Sequence, residues 1–169
     1  MAAAEAANVA EAAITSVKTK AIKSDMEKII IQIINTSDNP LPQYASEGAA
    51  GVDLYAAKDC VLRSGEVSLV PTGIFIQLPE GYEAQIRGRS GLALRHGVML
   101  VNGIGTIDSD YRGEIKVIMT TCKAEPYTIR KGERIAQMVF SKLVEAQFEL
   151  TDSLEITLRN QGGFGSSGK

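Results

Sequence analysis

Apolar positions along this chain recur in short runs and mostly at a period of two, which predicts strands rather than helices. The clearest case is Glu114–Thr121, where Ile115, Val117 and Met119 point one way and Lys116, Ile118 and Thr120 the other. Lys28–Ile34 is a β-branched run. Val67–Val70 and Gly73–Leu78 flank a turn at Pro71-Thr72, and Tyr82–Arg87, Val98–Val101 and Arg134–Lys142 follow. Gly, Pro and Asp separate these runs at short intervals, a spacing that predicts an all-β sandwich or barrel. The helix predicted inside it is a short turn around Ser90–Arg95.

Both ends depart from this pattern. Residues 1–25 are rich in Ala, a strong helix former, with Lys18, Lys20 and Lys23 after Glu5 and Glu11. They read as an extension, flexible or marginally helical, ahead of a β domain at 26–158. The segment has no continuous apolar stretch for a secretory signal, and its acids argue against a transit peptide. Residues 159–169 read Arg-Asn-Gln-Gly-Gly-Phe-Gly-Ser-Ser-Gly-Lys, without apolar periodicity. Glycines for close backbone approach, hydroxyl donors and flanking cations suit a phosphate-gripping arm. The spacing is not that of a Walker A loop.

Charge narrows the partners. Lys and Arg number 18 against 20 Asp and Glu, with a pI near 5.5 and no basic stripe, so no nucleic-acid footprint is present. An anionic ligand must be held by a few local groups. Cys60 and Cys122 lie far apart and His96 is the single histidine, which argues against zinc or iron–sulfur ligation. Reduced thiols and the lack of a ~20-residue apolar run point to a cytoplasmic protein with no membrane span.

Five short islands carry candidate chemistry. They are Ala50–Ala56 with Asp53, Arg89–Ala93, Asn102–Glu114, Gly132–Gln137, and the tail with Arg159 and Gly162–Gly168. Read locally, each has an ordinary explanation. Asp53, Asp108 and Asp110 are acids at turns. Ser90 is a helix N-cap, or part of a helix N-terminus that offers N–H groups to an anion. Tyr111 is a core or rim aromatic, and Asn102–Gly105 is a Gly-rich loop. Gln137 shares a strand face with Ile135 and Val139, where a polar side chain needs a partner. Arg134 reads as structural, paired with a carboxylate, and His96 as a partly buried strand residue.

Taken in order and at their spacing, the five islands resemble the motifs of the trimeric dUTPase family, from about Met26 to the C-terminus. The resemblance implies a jelly-roll-like β fold assembled as a homotrimer, and hydrolysis of dUTP to dUMP and pyrophosphate with Mg²⁺. It assigns to Asp108 the activation of a water that attacks the α-phosphorus. Arg89, Ser90 and Gly91 would hold phosphates. Asn102 to Gly105 would form a tight hairpin that reads uracil by backbone and amide groups, and Thr106 and Ile107 would also contact the substrate. Tyr111 would pack under the deoxyribose and leave no room for a 2′-hydroxyl. Gln137 would reach the phosphate end. Asp53 would touch the metal through water, the ion being held mainly by the triphosphate. From the tail, Arg159, Phe164, Gly165, Ser166 and Ser167 would close over the nucleotide, reaching a site between other subunits. The family usually has Pro before Arg89, where this chain has Gly88. A dCTP deaminase shares the fold, but the Gly-rich tail and the Asp-x-Asp-Tyr stretch favour dUTPase. A regulatory binding protein on the same scaffold would be expected to lack Asp108 or the tail. A regulatory protein partner beside catalysis is compatible with the sequence.

Overall fold

The computed structural model describes residues 27–163. The chain divides into Met1–Ile30 and Ile31–Lys169, and every element below lies in the second unit. In order these are β1 (Gln32–Asn35), β2 (Val52–Tyr55), β3 (Cys60–Leu62), β4 (Ser68–Pro71), β5 (Ile74–Gln77) and β6 (Tyr82–Gly88). A helix α1 (Ser90–His96) follows, then β7 (Val98–Leu100), β8 (Ile104–Ile107), β9 (Lys116–Thr121), β10 (Tyr127–Ile129) and β11 (Arg134–Lys142). The reading as an all-β fold with one short helix holds for the described residues.

All pairings are antiparallel. A four-stranded sheet runs β2-β11-β6-β8 and a three-stranded sheet β4-β9-β7, with β1-β5 and β10-β3 as pairs. Period-2 alternation explains the interior. On β9 and the residue before it, Ile115, Val117 and Met119 are buried while Lys116 faces outward. Leu54, Ile135 and Met138 from the larger sheet join Val70, Val117 and Met119 from the smaller one in a single core.

α1 is short because it stops at Gly97, whose left-handed φ of 63° lets its N–H bond back to Ala93 O. A side chain there would also meet Cys122 Sγ at 2.7 Å. The helix runs one residue past its predicted end, so His96 is its last residue rather than part of a strand. Its ring stacks on Tyr127 with centroids 4.4 Å apart, an aromatic packing role. Burial and the Glu133 carboxylate push the Tyr127 phenol up to about 12, so it stays a neutral donor to Glu133 at 2.5 Å.

β2, β3, β8 and β10 were not predicted as strands. Each is three or four residues long. That is too short for an alternation to show. The paired sheets end at Lys142. Beyond it Phe148, Leu150, Leu154, Ile156 and Leu158 are exposed at every second position, save Asp152. Among the described residues no helix is long and apolar enough to cross a membrane.

Candidate active site

A cleft of about 560 Å³ opens beside β8. Its floor and walls are the turn joining β7 to β8, β8 itself, and the loop 108–114 that leads to β9. Six of the residues singled out from sequence line it: Asn102, Gly105, Thr106, Ile107, Asp108 and Tyr111.

The β7–β8 turn is tight because Gly103 adopts φ 70° and Ile104 N–H bonds to Asn102 O at 2.8 Å. Gly105 lies close against β6, where a Cβ would sit 3.2 Å from Ile86 Cβ and 3.5 Å from Asn102 Nδ2. The Asn102 amide therefore lies beside bare backbone. Thr106 faces outward and pairs in register with Gln85. Ile107 is buried in the core, so only its main chain is available to a ligand.

The 108–114 loop is anchored at its far end. Gly73 N–H donates to Glu114 Oε1 at 2.9 Å, Thr72 Oγ1 donates to Ile115 O at 2.6 Å, and Ile115 N–H donates to Ile74 O at 2.8 Å. Within the loop, Tyr111 N–H donates to Asp108 O at 3.2 Å and the Tyr111 hydroxyl donates to Glu114 O at 3.1 Å. Asp108 and Asp110 are exposed. Walls of Ile86, Leu100, Val117 and Ile118 make the inner part apolar, as suits a planar base.

A second group lies elsewhere on the same sheet. Asp53 on β2 is 5% exposed. Its Oδ2 accepts from Arg134 at 3.1 Å, and its Oδ1 sits 3.4 Å from Arg89 Nε. Arg89 also donates to Arg134 O at 2.7 Å. Asp53 Oδ1 has no hydrogen-bond partner of its own, so that oxygen is held by charge alone. Arg89 occupies the N-cap position of α1 without a side-chain cap bond, and Ser90 is the first helical residue rather than the cap. Gly91 lies under the Arg95 guanidinium, 3.1 Å from where its Cβ would be.

Gln137 belongs to this group, opposite Asp53 on one side and Arg87 on the other. Its face differs from the one read from sequence. A bulge between Arg134 and Ala136 breaks the period of two, so Ile135 and Ala136 are both buried and Gln137 points outward. It needs no interior partner.

Removing the Asp53 charge leaves two facing guanidiniums unneutralised. Asp53→Ala is expected to cost about 1–3 kcal/mol, less than a fully buried pair because both arginines reach solvent. Urea denaturation checks this, and a loss below about 0.5 kcal/mol would mean the arginines are not held by Asp53.

Arg159 is exposed in a turn closed by Gly162 N–H to Arg159 O at 2.8 Å, with its own Nε donating to Gly162 O at 2.8 Å. Phe164, Gly165, Ser166 and Ser167 lie outside the described residues, as does the extension read at the N-terminus. Arg134, read from sequence as structural and paired with a carboxylate, is so paired with Asp53. One residue was missed. Gly113 underlies Tyr111, and nothing local marks it.

Comparison with known proteins gives the family. A dUTPase family profile matches residues 37–168. The deoxyuridine 5'-triphosphate nucleotidohydrolase of Finegoldia magna is 51% identical over 140 residues, covering 82% of this chain and 98% of that protein. The enzyme of the same name from Thermoanaerobacter sp. is 52% identical over 145 residues, covering 83% and 98%. Among solved structures, a mutant dUTPase of Staphylococcus bacteriophage 80alpha with dUpNHpp superposes with a TM-score of 0.76 at 23% identity, over 84% of this chain and all of that one. A mutant dUTPase from S. aureus phage phi11, solved with a structural Mg(II) ion, gives 0.68 at 20% identity, over 76% of this chain. These two likenesses speak for the fold.

Proposed function

This chain belongs to the dUTPase family, and on that premise we propose that it hydrolyses dUTP to dUMP and pyrophosphate with Asp108 as the group that activates water. The observation that carries the reading is the single cleft in which the β7–β8 turn, Tyr111 and Asp108 meet. A volume of about 560 Å³ suits a nucleoside. Uracil presents two carbonyl acceptors and one N–H at its edge. The main chain of 103–107 and the Asn102 amide can complement that edge, and Gly105 lets the base approach closely. The Tyr111 ring would lie against the sugar.

Asp108 sits at the exposed rim of this cleft, where phosphates leaving the base pocket would pass. A carboxylate there can hold a water by hydrogen bond, aim it at the α-phosphorus and take its proton. Arg89 and Arg134 supply positive charge for a triphosphate, with Gln137 beside them. In the family pattern Ser90 and Gly91 add phosphate donors, and the 159–169 arm closes the site, with Phe164 stacking on the base.

The residues fit magnesium that arrives with the substrate. Among the described residues no three Asp, Glu, His or Cys side chains gather to cage an ion. They offer instead single carboxylates: Asp108, exposed at the rim of the cleft, which can meet a metal-bound water, and Asp53, whose buried Oδ1 faces Arg89 and would reach one only with that arginine drawn to the phosphates. When bound, Mg²⁺ would neutralise triphosphate charge.

Asp53, the carboxylate that both arginines face, lies on β2, at the opposite edge of the sheet from β8 and the base cleft. β2 and β8 are three strand spacings apart, about 14 Å. One chain thus presents two partial sites, which supports a homotrimer in which each site draws on several subunits. Exposed Leu69, Met99, Val101 and the apolar residues of 143–158 are surface such an assembly would cover. The substrate is an intracellular nucleotide, which fits a cytoplasmic location. The deaminase alternative is not favoured, because the relatives are named nucleotidohydrolases.

Pyrophosphate release measured in parallel with dUTP, dTTP, dCTP and UTP tests the reading. dUTP should be turned over at least about 100-fold faster than the others by kcat/KM. Comparable turnover of dCTP or dTTP would remove the uracil assignment.

A further inference from the structure

We propose that Gly113 is a positioning residue for sugar selectivity, acting through the Tyr111 ring. The inference rests on the reading that Tyr111 faces the deoxyribose. A Cβ built at Gly113 would lie 2.3 Å from the Tyr111 hydroxyl oxygen, 2.5 Å from Cζ and 2.9 Å from Cε2. These are far inside van der Waals contact, so any side chain at 113 and the present ring cannot coexist. Gly113 φ is not in the left-handed region, so the absence of a side chain serves the ring and not the backbone turn. The hydroxyl end of the ring lies against Gly113, and its hydroxyl donates to the next carbonyl, Glu114 O, at 3.1 Å. That carbonyl belongs to the anchored end of the loop, where Glu114 Oε1 accepts from Gly73 N–H. Tyr111 is 43% exposed, so packing on its outer side does little to hold it. Its orientation in the cleft comes from two things beneath it: the Glu114 hydrogen bond and the space left by Gly113.

A methyl at 113 would lift the ring, break its bond to Glu114 O and open the place a 2′-hydroxyl needs. The experiment is a double-mutant cycle on the ratio of kcat/KM for dUTP to kcat/KM for UTP, using wild type, Gly113→Ala, Tyr111→Ala and the double variant. Gly113→Ala should lower the ratio by roughly tenfold or more, the scale of one displaced group in a snug pocket. In the Tyr111→Ala background the same change should have no further effect on the ratio, because there is no ring to move. General damage to the fold would depress both substrates together and leave the ratio alone. If Gly113→Ala fails to fold, the double variant removes the clash and should fold, and Tyr111→Phe on its own, which keeps the ring but not its bond to Glu114 O, should lower the ratio by less than Tyr111→Ala. A selectivity shift in Tyr111→Ala with none in Gly113→Ala overturns the inference and leaves the Tyr111 reading standing. Equal shifts from Gly113→Ala with and without the ring also overturn it. An unchanged ratio in Tyr111→Ala removes the sugar role from Tyr111, and the inference with it.

Discussion

Asp108→Asn should reduce dUTP turnover by at least about 100-fold, and up to about 10⁴-fold, while a non-hydrolysable imido analogue of dUTP still binds within a few-fold of wild type. The carboxylate is exposed at the rim of the cleft, directly after β8. Among the described residues no hydrogen bond or ion pair of its side chain supports the fold, and the loop uses its carbonyl, not its carboxylate, to hold Tyr111 N–H. Asn keeps the shape and one acceptor oxygen but cannot take a proton. The loss should therefore fall on kcat, with the melting temperature unchanged. Single-turnover kinetics and calorimetric titration with the analogue separate chemistry from binding. A variant that turns over dUTP at near wild-type rate would take the water-activating role away from Asp108.

Mixed assemblies should recover activity that neither parent has. Arg89→Ala chains lack a cation of the Asp53 cluster, and Asp108→Asn chains lack the carboxylate of the cleft. If each site takes Asp108 from one subunit and Arg89 from another, some sites in a mixed trimer hold both. Random mixing in equal amounts would make roughly a quarter of all sites intact, and each mixed trimer, of either stoichiometry, would hold about one intact site in three. Two affinity tags on coexpressed variants allow mixed trimers to be isolated and assayed for pyrophosphate release. Recovery to roughly that fraction of wild-type activity is the expected result. Mixed trimers that are demonstrably formed yet inactive would place both groups in a site within one subunit. The expectation rests on the separation of the two groups along paired strands: Arg89 follows the end of β6 that pairs at Ile104, and Asp108 follows Ile107, which pairs with Ala84 at the other end.

The order of the chemistry was legible in the linear chain. The β texture came from alternation in Glu114–Thr121, and the short helix from the stretch after Arg89. Island order and spacing carried the family, because Asn102–Glu114 is one continuous stretch whose turn, strand and loop are local structures. Local structure is what neighbouring residues determine, through φ preferences and period. Accordingly the six residues from Asn102 to Tyr111 do line one cleft.

What the tertiary structure alone decided is long-range. Asp53 and Arg134 are 81 positions apart and Asp53 is buried between Arg134 and Arg89 only because β2 and β11 pair. Strand order is set by the shared core and not by any one strand's sequence. The bulge at Ile135 is likewise invisible in a pattern of alternating residues, since it is the partner strand that counts one residue against two, and it alone turns Gln137 outward. Gly113 looks like any loop glycine until Gly73, 41 positions away, anchors Glu114 and with it the loop that sets the Tyr111 ring against Gly113. Composition and periodicity thus specified which elements and which chemistry are present. Packing specified which of those groups meet, because contacts between distant residues form only when the whole core closes.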